Sequence, residues 1–134
     1  MRITAAGAAF SLLAIGAAAQ APGPWSMKTL PDTGQTAKYT KTPGEDADYT
    51  ISPPSFTDAG DGTVIDNVTG LVWQKADGGE MAFDKALAYP RQLQLGGHDD
   101  WRLPTAHELF SILNHGRNPA LDPTYFPRTA AEYW

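Results

Sequence analysis

The chain has 134 residues, of which 42% are hydrophobic and 19% charged, a composition typical of a globular protein with a single core. It contains no cysteine, which excludes disulfide bonds and thiol chemistry from its own residues. Its formal net charge of −5 at pH 7 gives an acidic surface that repels nucleic acid and anionic lipid, so we expect neither as a partner.

Residues 1–19 have the pattern of a secretory signal peptide. Arg2 is followed by an uncharged, alanine-rich apolar run that is too short to cross a bilayer. The A-x-A pattern at Ala17 and Ala19 favours cleavage before Gln20. A buried N-terminal helix is the alternative for this run. We expect a secreted, periplasmic or cell-surface protein without a transmembrane anchor.

Residues 20–54 are rich in Pro, Gly, Thr and Asp and poor in large aliphatic residues. Such a segment cannot bury enough apolar surface to order itself. We predict an extended arm that precedes a domain over residues 55–134. Four apolar side chains of the arm would lie across a neighbouring surface: Trp25, Tyr39, Tyr49 and Ile51.

Two β-strands joined by a tight turn are predicted at the start of the domain. The runs from Thr63 to Asp66 and from Leu71 to Gln74 are rich in β-branched and aromatic residues, and turn-forming residues bound both of them. Alternation along the two strands places Val64 and Trp73 on the buried face.

A first helix is predicted from apolar residues at the spacing of one helical face, namely Phe83, Ala86, Leu87 and Leu93. Pro90 interrupts this pattern, and a proline inside a helix costs ~3 kcal/mol. We therefore expect a kink or break near Tyr89, and we expect the Gly96-Gly97 pair to end the element.

A second helix has a clear start signal. Pro104 fixes the entry, and Thr105 and Glu108 have the T-x-x-E form of a capping box, in which each side chain bonds the backbone N–H of the other residue. The buried stripe is expected at Leu109, Phe110, Ile112 and Leu113. Gly116, after His115, is the expected end of the helix.

The Trp101-Arg102-Leu103-Pro104 segment before this helix is predicted to be a rigid corner of the fold. In an extended backbone Trp101 and Leu103 point to one face, toward a core, and Arg102 points to the other. The acids nearest in sequence, Asp99 and Asp100, are the expected ion-pair partners of Arg102. A ligand-binding Arg102 is the alternative.

Metal binding has one candidate. Asp58, Asp61 and Asp66 offer carboxylate oxygens of the kind that calcium uses, which makes calcium the candidate cofactor. The spacing differs from that of an EF-hand loop, and turn formation explains the same residues.

Catalytic motifs are not recognisable in the sequence. His107 and Glu108 begin like H-E-x-x-H, but Ser111 stands where the second zinc ligand is required. Ser55 and Ser111 lack a G-x-S-x-G context, and there is no phosphate-binding loop. His98 lies in a glycine turn, and His115 lies at the predicted helix end, where the helix dipole favours a cation. These local positions explain both histidines without a metal site. We therefore expect no enzymatic activity.

Three segments, in this order and spacing, closely resemble the Lcl C-terminal domain family of exported bacterial proteins: GDGTVIDNVTGLVWQK, FDKALAYPRQLQLGG and DDWRLPTAHELFSIL. The order of helix, W-R-L-P-T and helix is more distantly similar to the formylglycine-generating-enzyme branch of the C-type lectin-like fold. The resemblance implies an α+β domain in which two helices flank a small antiparallel sheet. It also makes the W-R-L-P-T segment a structural corner, with Trp73, Trp101, Arg102, Pro104, Thr105 and Glu108 as structural residues.

The chain departs from the family in two respects. Members usually carry a cysteine where this chain has Pro90, and they continue through further strands beyond Trp134. We therefore expect the framing part of a domain that is incomplete at its C-terminus.

The resemblance favours an exported, non-catalytic binding or adhesion module, with a glycan or another surface protein as its partner. A structural or assembly domain of a surface protein is the alternative. An enzyme of the formylglycine-generating type is disfavoured, because such enzymes use a cysteine pair that this chain lacks.

Overall fold

The computed structural model describes residues 14–15, 27–79 and 81–127 of the chain. Within these ranges lie two single turns of 3-10 helix, four strands and two short α-helices. The 3-10 turns are Asp46–Asp48 and Pro90–Gln92, and the other elements are β1 (Ala14–Ile15), β2 (Phe56–Asp58), β3 (Thr63–Asp66), β4 (Val72–Gln74), α1 (Phe83–Ala88) and α2 (Ala106–Ser111). The described chain is a small α+β structure, the class that the sequence predicts.

The strands form one antiparallel sheet in the order β1-β4-β3-β2. The predicted pair is present as β3 and β4, with Val64 opposite Trp73, although β4 begins at Val72 instead of Leu71. β2 was not predicted from the sequence. β1 was not predicted either, and it falls inside the predicted signal peptide, the rest of which lies outside the described residues.

The turn between β3 and β4 is organised by a buried aspartate. The Asp66 carboxylate accepts hydrogen bonds from the backbone N–H of Val68 (2.9 Å) and Thr69 (3.1 Å) and from the Thr69 hydroxyl (2.6 Å). These bonds satisfy a side chain that is almost fully buried, which a carboxylate requires. Gly70 completes the turn with a positive φ of 78°.

One face of the sheet carries the main core. Val64, Leu71 and Trp73 alternate onto this face and are fully buried, as the strand pattern predicts for Val64 and Trp73. Ile112, which follows the last residue of α2, packs against these three side chains. Two residues of the C-terminal segment, Leu121 and Phe126, complete the cluster.

The opposite face of the sheet carries a second cluster around Trp101. The Trp101 side chain is buried, packs with Val72 of β4 and with Leu103, and donates its indole N–H to the Leu95 carbonyl at 3.3 Å. The prediction that Trp101 and Leu103 point together toward a core is confirmed. Tyr89, Leu93 and Leu95 supply the remaining contacts of this second cluster.

The first helix is shorter and more exposed than predicted. α1 ends at Ala88 and a 3-10 turn starts at Pro90, so the predicted break near Tyr89 is confirmed. Of the apolar residues whose spacing predicted this helix, Phe83 is 66% exposed and Leu87 is 48% exposed, whereas Ala86 is buried. The packing comes instead from residues after the helix, where Pro90 is buried and the chain turns toward Trp101. Gly96-Gly97 does not end a helix; it forms the turn of a short antiparallel bridge between Leu95 and His98.

Backbone hydrogen bonds hold the arm, and three of its four predicted anchors are exposed. Tyr39, Tyr49 and Ile51 are exposed, and Trp25 lies outside the described residues. Two backbone hydrogen bonds fix the arm instead, from Lys28 N–H to the Thr69 carbonyl (2.9 Å) and from His115 N–H to the Thr33 carbonyl (2.8 Å). Met27 packs against the main core.

Candidate functional site

The start of α2 is a complete capping box, as predicted. The Thr105 hydroxyl accepts from the Glu108 N–H at 3.3 Å, and the Glu108 carboxylate accepts from the Thr105 N–H at 2.7 Å. Pro104 immediately precedes the cap, where the chain is extended before the helix. The Glu108 side chain is therefore directed back toward the Trp101-Pro104 segment.

Glu108 is also the ion-pair partner of Arg102. The two guanidinium nitrogens donate to the two carboxylate oxygens, at 2.8 Å for Nη1 and 2.6 Å for Nη2, and Nη1 donates further to the Leu103 carbonyl at 3.1 Å. These hydrogen bonds, which Arg102 donates to the Glu108 carboxylate, raise the pKa of Arg102. The predicted pairing with Asp99 and Asp100 is wrong: the extended backbone carries Arg102 toward the helix start, and Asp100 lies 3.7 Å from His98 Nδ1 instead.

The Arg102–Glu108 pair has the features of a structural clamp. Glu108 is only 4% exposed, and three N–H groups occupy its carboxylate. A buried carboxylate that is already bound in this way ties the extended segment to the helix. The structural roles of Arg102, Thr105 and Glu108 stay a prediction, which the stability of Glu108→Gln tests.

The three aspartates considered for calcium each have a local partner. Asp58 is ion-paired with Lys75 and accepts from the Gly60 N–H at 3.0 Å, and these contacts lower its pKa. Asp61 accepts from the hydroxyl (2.6 Å) and the N–H (3.0 Å) of Thr63, which lowers its pKa as well. Asp66 holds the β3–β4 turn, as described above.

The structure does not gather these carboxylates into one site. Over residues 27–79 and 81–127 no group of three or more His, Cys, Asp or Glu side chains is arranged to hold a metal ion. Local turn and ion-pair contacts account for Asp58, Asp61 and Asp66. We therefore base no proposal on calcium.

A groove of about 650 Å³ lies between the arm and α2. One wall is the arm from Met27 to Thr33, which is fixed at both ends by the two backbone hydrogen bonds to Thr69 and His115. A close contact reinforces the second attachment, because a Cβ added to Gly116 would lie 2.5 Å from the Gly34 carbonyl oxygen. The arm thus has a fixed position beside the helix. The other wall comes from α2 and the residues after it: His107, Phe110, Ser111, Leu113 and His115.

The groove presents apolar surface to solvent. Leu30 on the arm wall is 67% exposed, and Phe110 on the helix wall is 62% exposed. The Phe110 ring stacks on the His115 ring with a centroid distance of 5.9 Å and an interplanar angle of 24°. The predicted burial of Phe110 is wrong, because the core takes up Ile112 and, in part, Leu109 and Leu113. His115 lies beyond the end of α2 at Ser111, so the helix-end role predicted for it, and Gly116 as the end of the helix, are also wrong.

Two charged residues, Lys28 and Asp32, line the groove at defined points. Lys28 extends over Gly70, where a Cβ added to the glycine would lie 3.0 Å from the Lys28 Cε atom. The Asp32 Oδ2 atom accepts from the N–H groups of Ile51 (2.8 Å) and Ser52 (3.0 Å). A concave, mostly apolar site with a few oriented polar groups is typical of ligand-binding pockets.

A second cavity of about 320 Å³ lies on the other side of the Ile112 segment, lined in part by Pro54, Phe56 and Tyr125. Its two charged residues, Arg117 and Asp122, form an ion pair with each other at 2.9 Å. This cavity is half the size of the groove, and its charges are paired. The groove is therefore the better candidate for a binding site.

The family of the chain follows from comparison with known proteins. No helix in the described part of the chain is long and apolar enough to span a membrane. No curated protein and no solved structure matches the chain. A family model matches residues 62–134, more than half of the sequence, including β3, β4, the Trp101-Pro104 corner and α2. On this match the chain belongs to the Lcl C-terminal domain family.

Proposed function

We propose that the chain is an exported, non-catalytic binding module that acts in the cell envelope or outside the cell. The observation that carries this proposal is the groove between the arm and α2, where Leu30 and Phe110 remain exposed although a buried core is present nearby. Burying such side chains against a ligand is favourable, at about 1.5–3 kcal/mol for each large apolar side chain. Export is supported by the signal-peptide pattern of residues 1–19.

The absence of catalytic function is part of the proposal and is supported by the hydroxyl contacts. The Ser111 hydroxyl, which faces the groove, donates to the Glu108 carbonyl at 2.7 Å. The Ser55 hydroxyl oxygen accepts from the Asn67 amide at 3.0 Å. A nucleophilic serine requires a base within hydrogen-bond reach, and neither a backbone carbonyl nor a side-chain amide is such a base.

The fold class is a further part of the proposal. We assign the domain to the C-type lectin-like class on the order of α1, the Trp-Arg-Leu-Pro-Thr corner and α2 beside an antiparallel sheet. Glycan binding and adhesion are the functions expected from this class by analogy of fold. The stacked rings of Phe110 and His115 offer a surface on which a sugar ring can pack.

The test is a binding screen by NMR on the purified chain, uniformly labelled with ¹⁵N, against a glycan set, short peptides and small organic probes. We expect at least one saturable binder that shifts the amide signals of the arm wall and of the helix wall together, without chemical change of the probe. Turnover of a probe contradicts the non-catalytic assignment. A complete screen without any saturable shift at the groove contradicts the binding assignment.

An assembly domain is the second candidate, and the exposed pair on α1 favours it. Phe83 and Leu87 lie one helical turn apart and are both largely exposed, so they form a second apolar patch away from the groove. Light scattering after size exclusion tests it. If the chain self-associates and Phe83→Ser abolishes the association, the assembly function is supported. If the chain is a monomer at all concentrations, the assembly function is refuted.

A further inference from the structure

The groove combines exposed apolar walls with one uncompensated cation. Lys28 forms no ion pair or side-chain hydrogen bond within the part of the chain that the structure describes. Lys28 lines the arm wall of the groove, and the end of its side chain lies over Gly70, with Nζ 3.3 Å from the position that a Cβ on this glycine would take. An ammonium group placed beside apolar surface is a recognition element for an anion that also carries an apolar group.

The other charges near the groove leave this cation available. The Asp32 carboxylate lines the same groove, but its Oδ2 atom is bound by two backbone N–H groups. The carboxylate of Glu108, which follows the groove residue His107 on α2, is directed to the helix start and accepts hydrogen bonds from Arg102 and Thr105. Each nearby carboxylate therefore has a structural partner at a defined atom.

The overall acidity of the chain does not decide against an anionic ligand. The net charge of −5 repels anions at long range, but charges separated by more than about 8 Å are screened at physiological ionic strength. Direct contact with the Lys28 ammonium takes place within that distance. The acidic surface lowers the rate of encounter more than it lowers the stability of the bound state.

The size of the groove selects the class of ligand. Its volume of about 650 Å³ lies within the range of pockets for small molecules, roughly 300–1,000 Å³. We propose that the groove binds a small apolar acid, an aromatic or branched hydrocarbon group with one carboxylate. The carboxylate pairs with Lys28, and the hydrocarbon lies between Leu30 and Phe110. This inference rests on the proposed function and names the ligand class of the same site.

The experiment compares two probes of nearly equal shape, 3-phenylpropionate and its uncharged amide. Each is titrated into the ¹⁵N-labelled chain and the dissociation constant is fitted to the amide shifts. We expect the acid to bind at least about fivefold more tightly than the amide, with shifts on both walls. Lys28→Gln should remove this preference, so that the acid and the amide bind the variant with equal affinity. Lys85→Gln, on the exposed face of α1, is the matched control and should retain the preference.

Three results would overturn the inference: equal affinities for the acid and the amide, equal losses in the two lysine variants, or saturable shifts that lie away from the groove. The spectrum of Lys28→Gln confirms that the variant is folded. If a glycan or a peptide binds the groove while the acid does not, the ligand class is wrong and the proposed function stands. If no probe binds there, both fail.

Discussion

Replacement of Glu108 by Gln tests the clamp at the corner before α2. The carboxylate accepts from Arg102 Nη1, Arg102 Nη2 and the Thr105 N–H, whereas the amide of Gln has one oxygen and turns an N–H₂ donor toward the guanidinium. Hydrogen bonds to charged groups contribute about 1.5–3 kcal/mol each. Because Arg102 is 37% exposed and can be solvated again, we expect a net loss of about 2 kcal/mol in the free energy of unfolding.

The assay is urea unfolding followed by tryptophan fluorescence. With a slope of about 1–2 kcal/mol/M for a chain of this size, the midpoint should fall by roughly 1–2 M. Asp99→Asn and Asp100→Asn are the matched controls, because they remove the acids nearest to Arg102 in sequence. Each should change the free energy of unfolding by less than about 0.5 kcal/mol. The reasoning is refuted if Glu108→Gln is neutral, or if either control costs more than Glu108→Gln.

Two further predictions concern packing and pH. Gly96→Ala should be more destabilising than Gly97→Ala by at least about 1 kcal/mol. Both glycines have positive φ, but a Cβ at Gly96 would lie 2.6 Å from the buried Thr63 methyl group, whereas one at Gly97 would meet open space. Equal losses of stability in thermal unfolding would contradict this prediction. Burial raises the pKa of Asp122, but hydrogen bonds from Thr124 and the ion pair with Arg117 outweigh it and hold the pKa below its usual value. The stability from this lowered pKa is present above the unfolded pKa of roughly 3.9 and is lost as the pH falls through the folded pKa. The ¹³C carboxyl titration of Asp122 should therefore have a midpoint below that of a model peptide, and Arg117→Gln should raise it; a midpoint at or above the peptide value would show that the paired state is not populated.

Features that depend on neighbouring residues were predictable from the sequence. The capping box of α2 involves two residues three apart, and the break near Tyr89 follows from the backbone of Pro90 alone. The alternation that buries Val64 and Trp73 is also a local pattern. In each case the physical cause lies within a few residues, so the sequence carries the whole signal.

The partner of Arg102 was misassigned although the sequence contained the signal for it. Proximity in the chain favoured Asp99 and Asp100. The capping box, however, already requires the Glu108 carboxylate to reach back to the Thr105 N–H, which places an acidic group beside the segment that precedes the helix. The fixed geometry of a cap is thus a stronger guide to an ion pair than distance along the chain.

The groove could not be predicted, because its walls are far apart in the sequence. Residues 27–33 form one wall and residues 107–115 the other, and the bonds to Thr69 and His115 that align them join distant backbone groups without a residue pattern. The exposure of Phe110 follows from the same cause. Helical periodicity indicates which residues share a face, but it does not indicate how much of that face the core covers.

The most direct test of the proposed binding site is to measure intermolecular nuclear Overhauser effects in the complex with the tightest binder from the screen. The account predicts contacts from the ligand to the Leu30 methyl groups and to the Phe110 ring in the same complex, since these side chains form opposite walls of the groove. A saturable ligand whose contacts are confined to Phe83 and Leu87 on α1, with none to Leu30 or Phe110, would contradict it.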